Sequence, residues 1–275
     1  MRLALAQIEV RAADRDGNLD RALAAIADAA DRGADLVALP ELWNVGYFAF
    51  EAYERGAEPL SGPTLTRLAE AATDHDVALL AGSIVEDLAE SAAAGEDVPA
   101  DGGLANTAVL FDSDGDRRAV YRKHHLFGYE SAETRLLTPG EALPVVDLSG
   151  VRIGVTTCYD LRFPEQFRAL ADGGDGETGV DLVLVPSAWP YPRVEHWRTL
   201  SRARAIENLA YVATVNGSGS FEDAELLGRS TVYDPWGTTL ASAGDEPALV
   251  SADIEPDRVE RVREEFPALR DRRDY

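Results

Sequence analysis

The chain has 275 residues, 45% of them apolar, and 49 acidic residues against 26 basic ones give a formal net charge of −23. That length and apolar content can bury one substantial core, so a single domain over 1–275 is the expectation. An acidic chain with no basic patch is a poor match for nucleic acid or anionic membrane, and one cysteine forms neither an intrachain disulfide nor a cysteine-rich zinc cluster.

In chain order, "RLALAQIEV" reads as a strand. "NLDRALAAIADAADRG" reads as a helix with Leu19, Ala22, Leu23, Ile26 and Ala30 on one face, and "ADLVALP" as a buried strand. "SGPTLTRLAEAA" opens a helix, with Ser61 placed to cap it and Pro63 in its first turn. "VALLAGSIV", "NTAVLFD", "RRAVYRK", "VRIGVTT", "DLVLVPSA", "AYVATVN" and "RSTVYDP" are strand-like, with helices near 164–172 and 194–209. The pattern is α/β with a large mixed sheet content. Segments 86–104 and 172–179, rich in Gly, Ala and acids, read as exposed loops, and neither a repeat nor a domain linker is visible.

Of the 26 basic residues one is Lys, and sulfur is confined to one Cys and one Met. Acidic excess, Arg in place of Lys and little sulfur together indicate a salt-rich cytoplasm, where repulsion is screened and carboxylates keep a surface hydrated. "MRLALAQIEV" lacks an apolar run of signal length and nothing approaches a membrane span, so a soluble, unexported chain is expected.

Some motifs fall away. "DSDGD" at 112–116 has the acids of a calcium loop, but its Gly comes too early and the twelfth position is Lys123; it reads as a hairpin turn. His124 and His125 adjoin and face opposite sides of an extended chain, so no metal site is expected. No GxSxG elbow, phosphate loop or GxGxxG after a strand occurs.

What remains is a pattern of position. Glu41 follows "DLVALP", Lys123 closes "RRAVYR" and Cys158 closes "VRIGVTT", where strands give out into loops and α/β proteins build sites. Singly, a Cys is more often a small buried hydrophobe and a Glu or Lys a solvated surface group. Together they supply a nucleophilic thiolate, a carboxylate that shuttles its proton and an ammonium that neutralises an oxyanion.

"LPELWNVGY", "YRKHHLF" and "TTCYDLRFPE" resemble the Glu, Lys and Cys motifs of the nitrilase superfamily, the carbon-nitrogen hydrolases. The likeness extends through "PSAWPYPRVEHWRTLSRARAIENLAYVATVN" and "GRSTVYDPWG", and so covers nearly the whole chain. It implies a four-layer αββα sandwich, assembled as a homodimer or higher oligomer through helices flanking the site, with no cofactor. It also implies a second glutamate before a Pro-Gly pair; the spacing to Pro139 and Gly140 selects Glu133 over Glu130, to hold Lys123. The backbone N–H of Tyr159 joins Lys123 as oxyanion donor. "CYDLRFPE" and "WP-x-P-R-x-x-HW" resemble the ω-amidase branch, which deamidates dicarboxylic acid monoamides such as 2-oxoglutaramate; N-carbamoyl amino acid hydrolase and nitrilase are the alternatives, and a catalytically silent module on the same fold is a third. A distal carboxylate needs a cation, for which Arg162 and Arg193 are candidates, with Tyr47 as a further substrate contact. Arg229 departs from the His that many relatives carry there.

Overall fold

The computed structural model describes residues 1–128, 132–174 and 179–273. The first half of the chain supplies β1 (Arg2–Gln7), α1 (Arg15–Asp31), β2 (Leu36–Ala38), the one-turn α2 (Tyr53–Gly56), α3 (Pro63–His75), β3 (Ala78–Asp87), α4 (Leu88–Ala93), β4 (Leu104–Phe111) and β5 (Arg117–Arg122). There follow α5 (Glu133–Leu136), β6 (Val145–Leu148), β7 (Val151–Val155), α6 (Pro164–Ala171), β8 (Leu182–Ser187), α7 (Val194–Asn208) and β9 (Tyr211–Asn216). The chain then forms a short pair, β10 (Ser218–Ser220) and β11 (Glu225–Leu227), then β12 (Thr231–Tyr233), β13 (Thr239–Ser242), β14 (Ala248–Asp253) and α8 (Pro256–Glu265).

Two six-stranded sheets result, ordered β14-β1-β2-β3-β4-β5 and β13-β12-β9-β8-β7-β6. Their central strands are parallel: β1, β2 and β3 in one, β7, β8 and β9 in the other. Such strands are covered on both faces and carry apolar runs instead of alternation, and every residue of β8 is buried. The sheets meet face to face, β1 against β9 and β3 against β8; α1 and α3 cover one outside and α6 and α7 the other. This is the expected four-layer αββα sandwich. Among the described residues no helix is long and apolar enough to cross a membrane.

Three local expectations change. Ser61 is exposed and α3 begins after Gly62, with no side-chain cap from either residue. Its first turn is held instead by buried Glu58, which accepts from the Thr64 N–H at 2.8 Å and the Thr64 hydroxyl at 2.6 Å. Segment 86–104 is only partly loop: β3 runs to Asp87, whose carboxylate caps α4 by accepting the Glu90 N–H at 3.0 Å, and β4 starts at Leu104. In α1 the buried stripe is turned slightly from the apolar reading. Ala29 and Asn18 go inside, and Leu19, Leu23 and Ala30 are partly buried at its edges. Asn18 is satisfied there, donating to the Arg11 and Asn44 carbonyls. The turn 112–116 joins β4 to β5 as expected, with Gly115 at φ +79°. Of the 172–179 loop, residues 175–178 lie outside the described residues, as does Glu130.

Candidate active site

Glu41, Lys123, Glu133 and Cys158 come from four separate stretches of chain and meet in the interior, with Glu41, Lys123 and Glu133 at most 1% exposed. Glu41 stands three residues beyond β2, where the chain turns sharply and Leu42 takes φ +43°. The turn needs room, which Gly82 provides: a Cβ there would lie 2.0 Å from the Pro40 carbonyl oxygen. One oxygen of Glu41, Oε1, accepts from Lys123 Nζ and Asn106 Nδ2, each at 2.8 Å, and Oε2 accepts from the Ala188 N–H at 2.9 Å. The carboxylate is thereby aimed, and its charge acts on the Cys158 thiol.

Lys123 directly follows β5, its N–H donating to the Asn106 carbonyl at 2.9 Å. Its Nζ spans Glu41 Oε1 and Glu133 Oε1, 2.8 Å from each. Glu133, first residue of the one-turn α5, is held through Oε2 by the Tyr47 hydroxyl at 3.0 Å and the Phe127 N–H at 2.6 Å. The ammonium also lies 5.4 Å from the centre of the Tyr47 ring.

Cys158 opens a five-residue 3₁₀ turn after β7 and has φ +47°, a left-handed conformation that costs a non-glycine residue about 1–2 kcal/mol. Asp160 holds that turn. Its fully buried carboxylate accepts from the Thr157 N–H (2.8 Å), the Tyr121 hydroxyl (2.6 Å), the His125 N–H (3.1 Å) and His125 Nδ1 (2.8 Å). It thus ties the cysteine-bearing turn to the segment carrying Lys123. His125 stacks on Phe163, ring centres 3.6 Å apart, while His124 turns its Nε2 toward the Ala142 carbonyl at 2.9 Å.

The electrostatics follow from burial. It pushes the Cys158 thiol well above its usual range, and the charge on Glu41 pushes it further. Burial also raises Glu41; Lys123 opposes the rise and Glu133 adds to it. For Lys123 burial alone pulls downward, but Glu133 and Glu41 outweigh it and hold the ammonium well above its ordinary value. These shifts favour the protonated thiol and the charged ammonium, and make Glu41 a stronger base than an ordinary glutamate.

Cys158 and Lys123 open onto a cavity of about 260 Å³, lined by Tyr47, Phe127, Tyr159, Trp189, Arg162 and Arg193 among others. Arg162 lies over the Tyr159 and Trp189 rings and reaches His196 Nδ1 at 3.2 Å, and Arg193 lies over Phe127. Neither guanidinium has a carboxylate partner among the described residues. The structure thus gathers every residue singled out from the sequence: Glu41, Lys123, Glu133, Cys158, Tyr159, Tyr47, Arg162 and Arg193. Asn106, Asp160 and the Ala188 N–H were not singled out. A polar residue inside an apolar strand was the available signal for Asn106, and the acid two residues after the cysteine for Asp160.

These groups are equipped for acyl transfer through sulfur, on a sandwich that exposes them at strand ends. A family profile described as carbon-nitrogen hydrolase matches residues 2–264, and the chain belongs to that family. It is 39% identical over 244 residues to a 2-oxoglutaramate amidase of Paenarthrobacter nicotinovorans, an alignment covering 87% of this chain and 79% of the relative. It is 34% identical over 280 residues to human omega-amidase NIT2, covering 99% and 95%. An amidase of Nesterenkonia sp. AN1, solved as a glutamate-to-glutamine variant with acrylamide added to its active-site cysteine, superposes with a TM-score of 0.79 at 32% identity, covering 97% of this chain and 98% of that one.

Proposed function

We propose that this chain, one domain over 1–275, hydrolyses small linear amides carrying a distal carboxylate, in the manner of an ω-amidase, through a thioester on Cys158. The observation that carries this reading is the buried series Glu41–Lys123–Glu133, 2.8 Å at each step, brought together with Cys158, whose thiol feels the Glu41 charge. Glu41 takes the thiol proton as sulfur attacks the amide carbon. The carbonyl electron pair moves to oxygen, where Lys123 Nζ and the Tyr159 N–H stabilise the charge; one such donor is worth about 3–4 kcal/mol. Protonated Glu41 returns its proton to nitrogen, the C–N bond breaks and ammonia leaves. Glu41 then takes a proton from water, the hydroxide attacks the thioester, and the proton returns to sulfur as the acid departs. Chain and water account for every proton, so the cycle calls for no metal or cofactor.

In this reading Glu133 keeps Lys123 in place, and either Arg162 or Arg193, which line the cavity without carboxylate partners among the described residues, pairs with the distal carboxylate. Ammonia release from 2-oxoglutaramate, set beside an N-carbamoyl amino acid and a nitrile of similar length, tests the reading; preference for either alternative substrate overturns it. A homodimer fits the exposed Ile206, Trp236 and Phe266, which gather on one side of the molecule, Trp236 and Phe266 with ring centres 5.7 Å apart. Sedimentation in high salt checks this. A cytoplasmic setting is the reading that the single free cysteine and salt-adapted composition support.

A further inference from the structure

Asn106 is fully buried in β4, on the strand face where Ala108 and Leu110 pack into the core between the two sheets. Its neighbour Thr107 pairs with Arg122, the last residue of β5, so the ladder ends there and Asn106 comes level with Lys123, whose N–H its carbonyl accepts. An amide at such a position needs partners for both of its side-chain atoms. Asn106 has a partner for one. Its Nδ2 donates to Glu41 Oε1 at 2.8 Å, while Oδ1, equally buried, meets no donor among the described residues. A side chain serving the fold alone would gain by losing both polar atoms, because a buried acceptor left unpaired opposes stability. The single bond that Asn106 makes goes to the base.

That bond sorts the two oxygens of Glu41. A carboxylate oxygen has two lone-pair sites. Both on Oε1 are taken, one by Asn106 Nδ2 and one by Lys123 Nζ, each at 2.8 Å, and neither of those nitrogens can accept a proton. On Oε2 the Ala188 N–H takes one site at 2.9 Å, leaving the other for a proton. The Ala188 N–H also favours the ionised Cys158 sulfur, so a single donor serves Oε2 and the thiol and sets them side by side.

We propose that Asn106 is the positioning residue that assigns the travelling proton to one oxygen of Glu41: with Lys123 it fills Oε1, so the proton of Cys158 rides on Oε2. The S–H bond breaks, its electron pair stays on sulfur for attack at the amide carbon, and the Oε2–H bond that forms later gives its proton to the departing nitrogen. Without Asn106, Oε1 has a free lone pair that competes for the proton. This role rests on the reading of Cys158 as nucleophile and Glu41 as its base.

The test follows alkylation of Cys158 by iodoacetamide against pH in the full chain, a reaction independent of which amide the enzyme prefers. Asn106→Val removes the donor and fills its space; Asn106→Ala serves if the valine variant is unstable. Losing a hydrogen bond to its charged form makes Glu41 a stronger base, so the acid limb of the alkylation profile is expected to move up by about one pH unit. A stronger base alone would raise the plateau rate, whereas a misdirected proton lowers it, and the plateau is expected to fall at least about tenfold. Lys123, Glu133, Cys158, Tyr47 and Tyr53 are the other ionisable groups that bear on Glu41, and all are kept, so the displaced limb reports Asn106. In a Glu41→Gln background Asn106→Val should slow alkylation no further, since it acts through the carboxylate. The proposal is overturned if the acid limb does not move, if the plateau holds, or if the two substitutions add. Glu41→Gln alkylating like the wild type overturns the proton shuttle itself, whereas slow alkylation in Glu41→Gln beside an unchanged Asn106→Val overturns the role of Asn106 alone.

Discussion

Lys123 Nζ and Glu41 Oε1 lie 2.8 Å apart, with side chains 1% and 0% exposed, and the same nitrogen reaches Glu133 at equal distance. A compact ammonium fits between two carboxylates and still faces the cavity; a planar fork does not. Lys123→Arg is therefore expected to lower kcat/KM at least about a hundredfold, as loss of an aimed oxyanion donor does. Overpacking should also cost about 1–3 kcal/mol of stability. Steady-state ammonia release beside thermal unfolding in one high-salt buffer checks both, and a rate within a few fold of wild type would remove Lys123 from oxyanion stabilisation.

Cys158→Ala should abolish turnover and leave the fold intact, since only a small side chain is lost. Mass spectrometry of quenched wild-type enzyme should find an acyl group on the peptide containing Cys158. Appreciable activity in the variant would contradict a thioester route.

Glu41→Gln keeps the shape but cannot take a proton, and a loss of at least about a hundredfold is expected. In the wild type the base acts only when ionised. Burial, only partly opposed by Lys123, raises Glu41, so activity should fall with decreasing pH at values above an ordinary glutamic acid. The thiol and ammonium are both raised, so alkaline loss should come late. A kcat/KM profile shows the acid limb, and its persistence in Glu41→Gln would assign it elsewhere.

Asp160→Ala leaves the Thr157 N–H and Tyr121 hydroxyl without their buried acceptor, at about 1–3 kcal/mol for each group stranded. Thermal stability should drop, and alkylation of Cys158 should slow, because the strained turn is no longer held. Unchanged alkylation in a folded variant would separate Asp160 from the positioning of the sulfur.

Dilution from molar to millimolar KCl should lower the melting temperature, because excess acidic charge spread over the surface is then less screened. A melting curve independent of KCl would show that the composition does not act through repulsion.

The reactive residues were legible because each follows a strand-like run, and the sandwich places strand ends together. Hydrogen-bond roles were not. Asn106 sits in a strand whose apolar pattern hides its partner, and only the register of β4 against β5 and the turn after β2 brings it to Glu41. Ser61 carried the usual capping signal, yet Glu58 does the capping, because a bridge to Glu86 brings that carboxylate to the first turn of α3. The edge strands β6, β13 and β14 escaped notice because they are short or largely solvent-facing, and pairing defines them more than any apolar pattern.

The burial of Lys123 has a practical consequence for handling the protein. Its ε-amine is the single side-chain primary amine in the sequence, and it is 1% exposed and paired with Glu41 and Glu133 at the foot of the cavity. Acylating dyes, reducing sugars and amine-directed cross-linkers should therefore find only the terminal amine of the folded chain. Attachment through succinimidyl chemistry would then give one orientation on a support, and a second label per molecule would report unfolding.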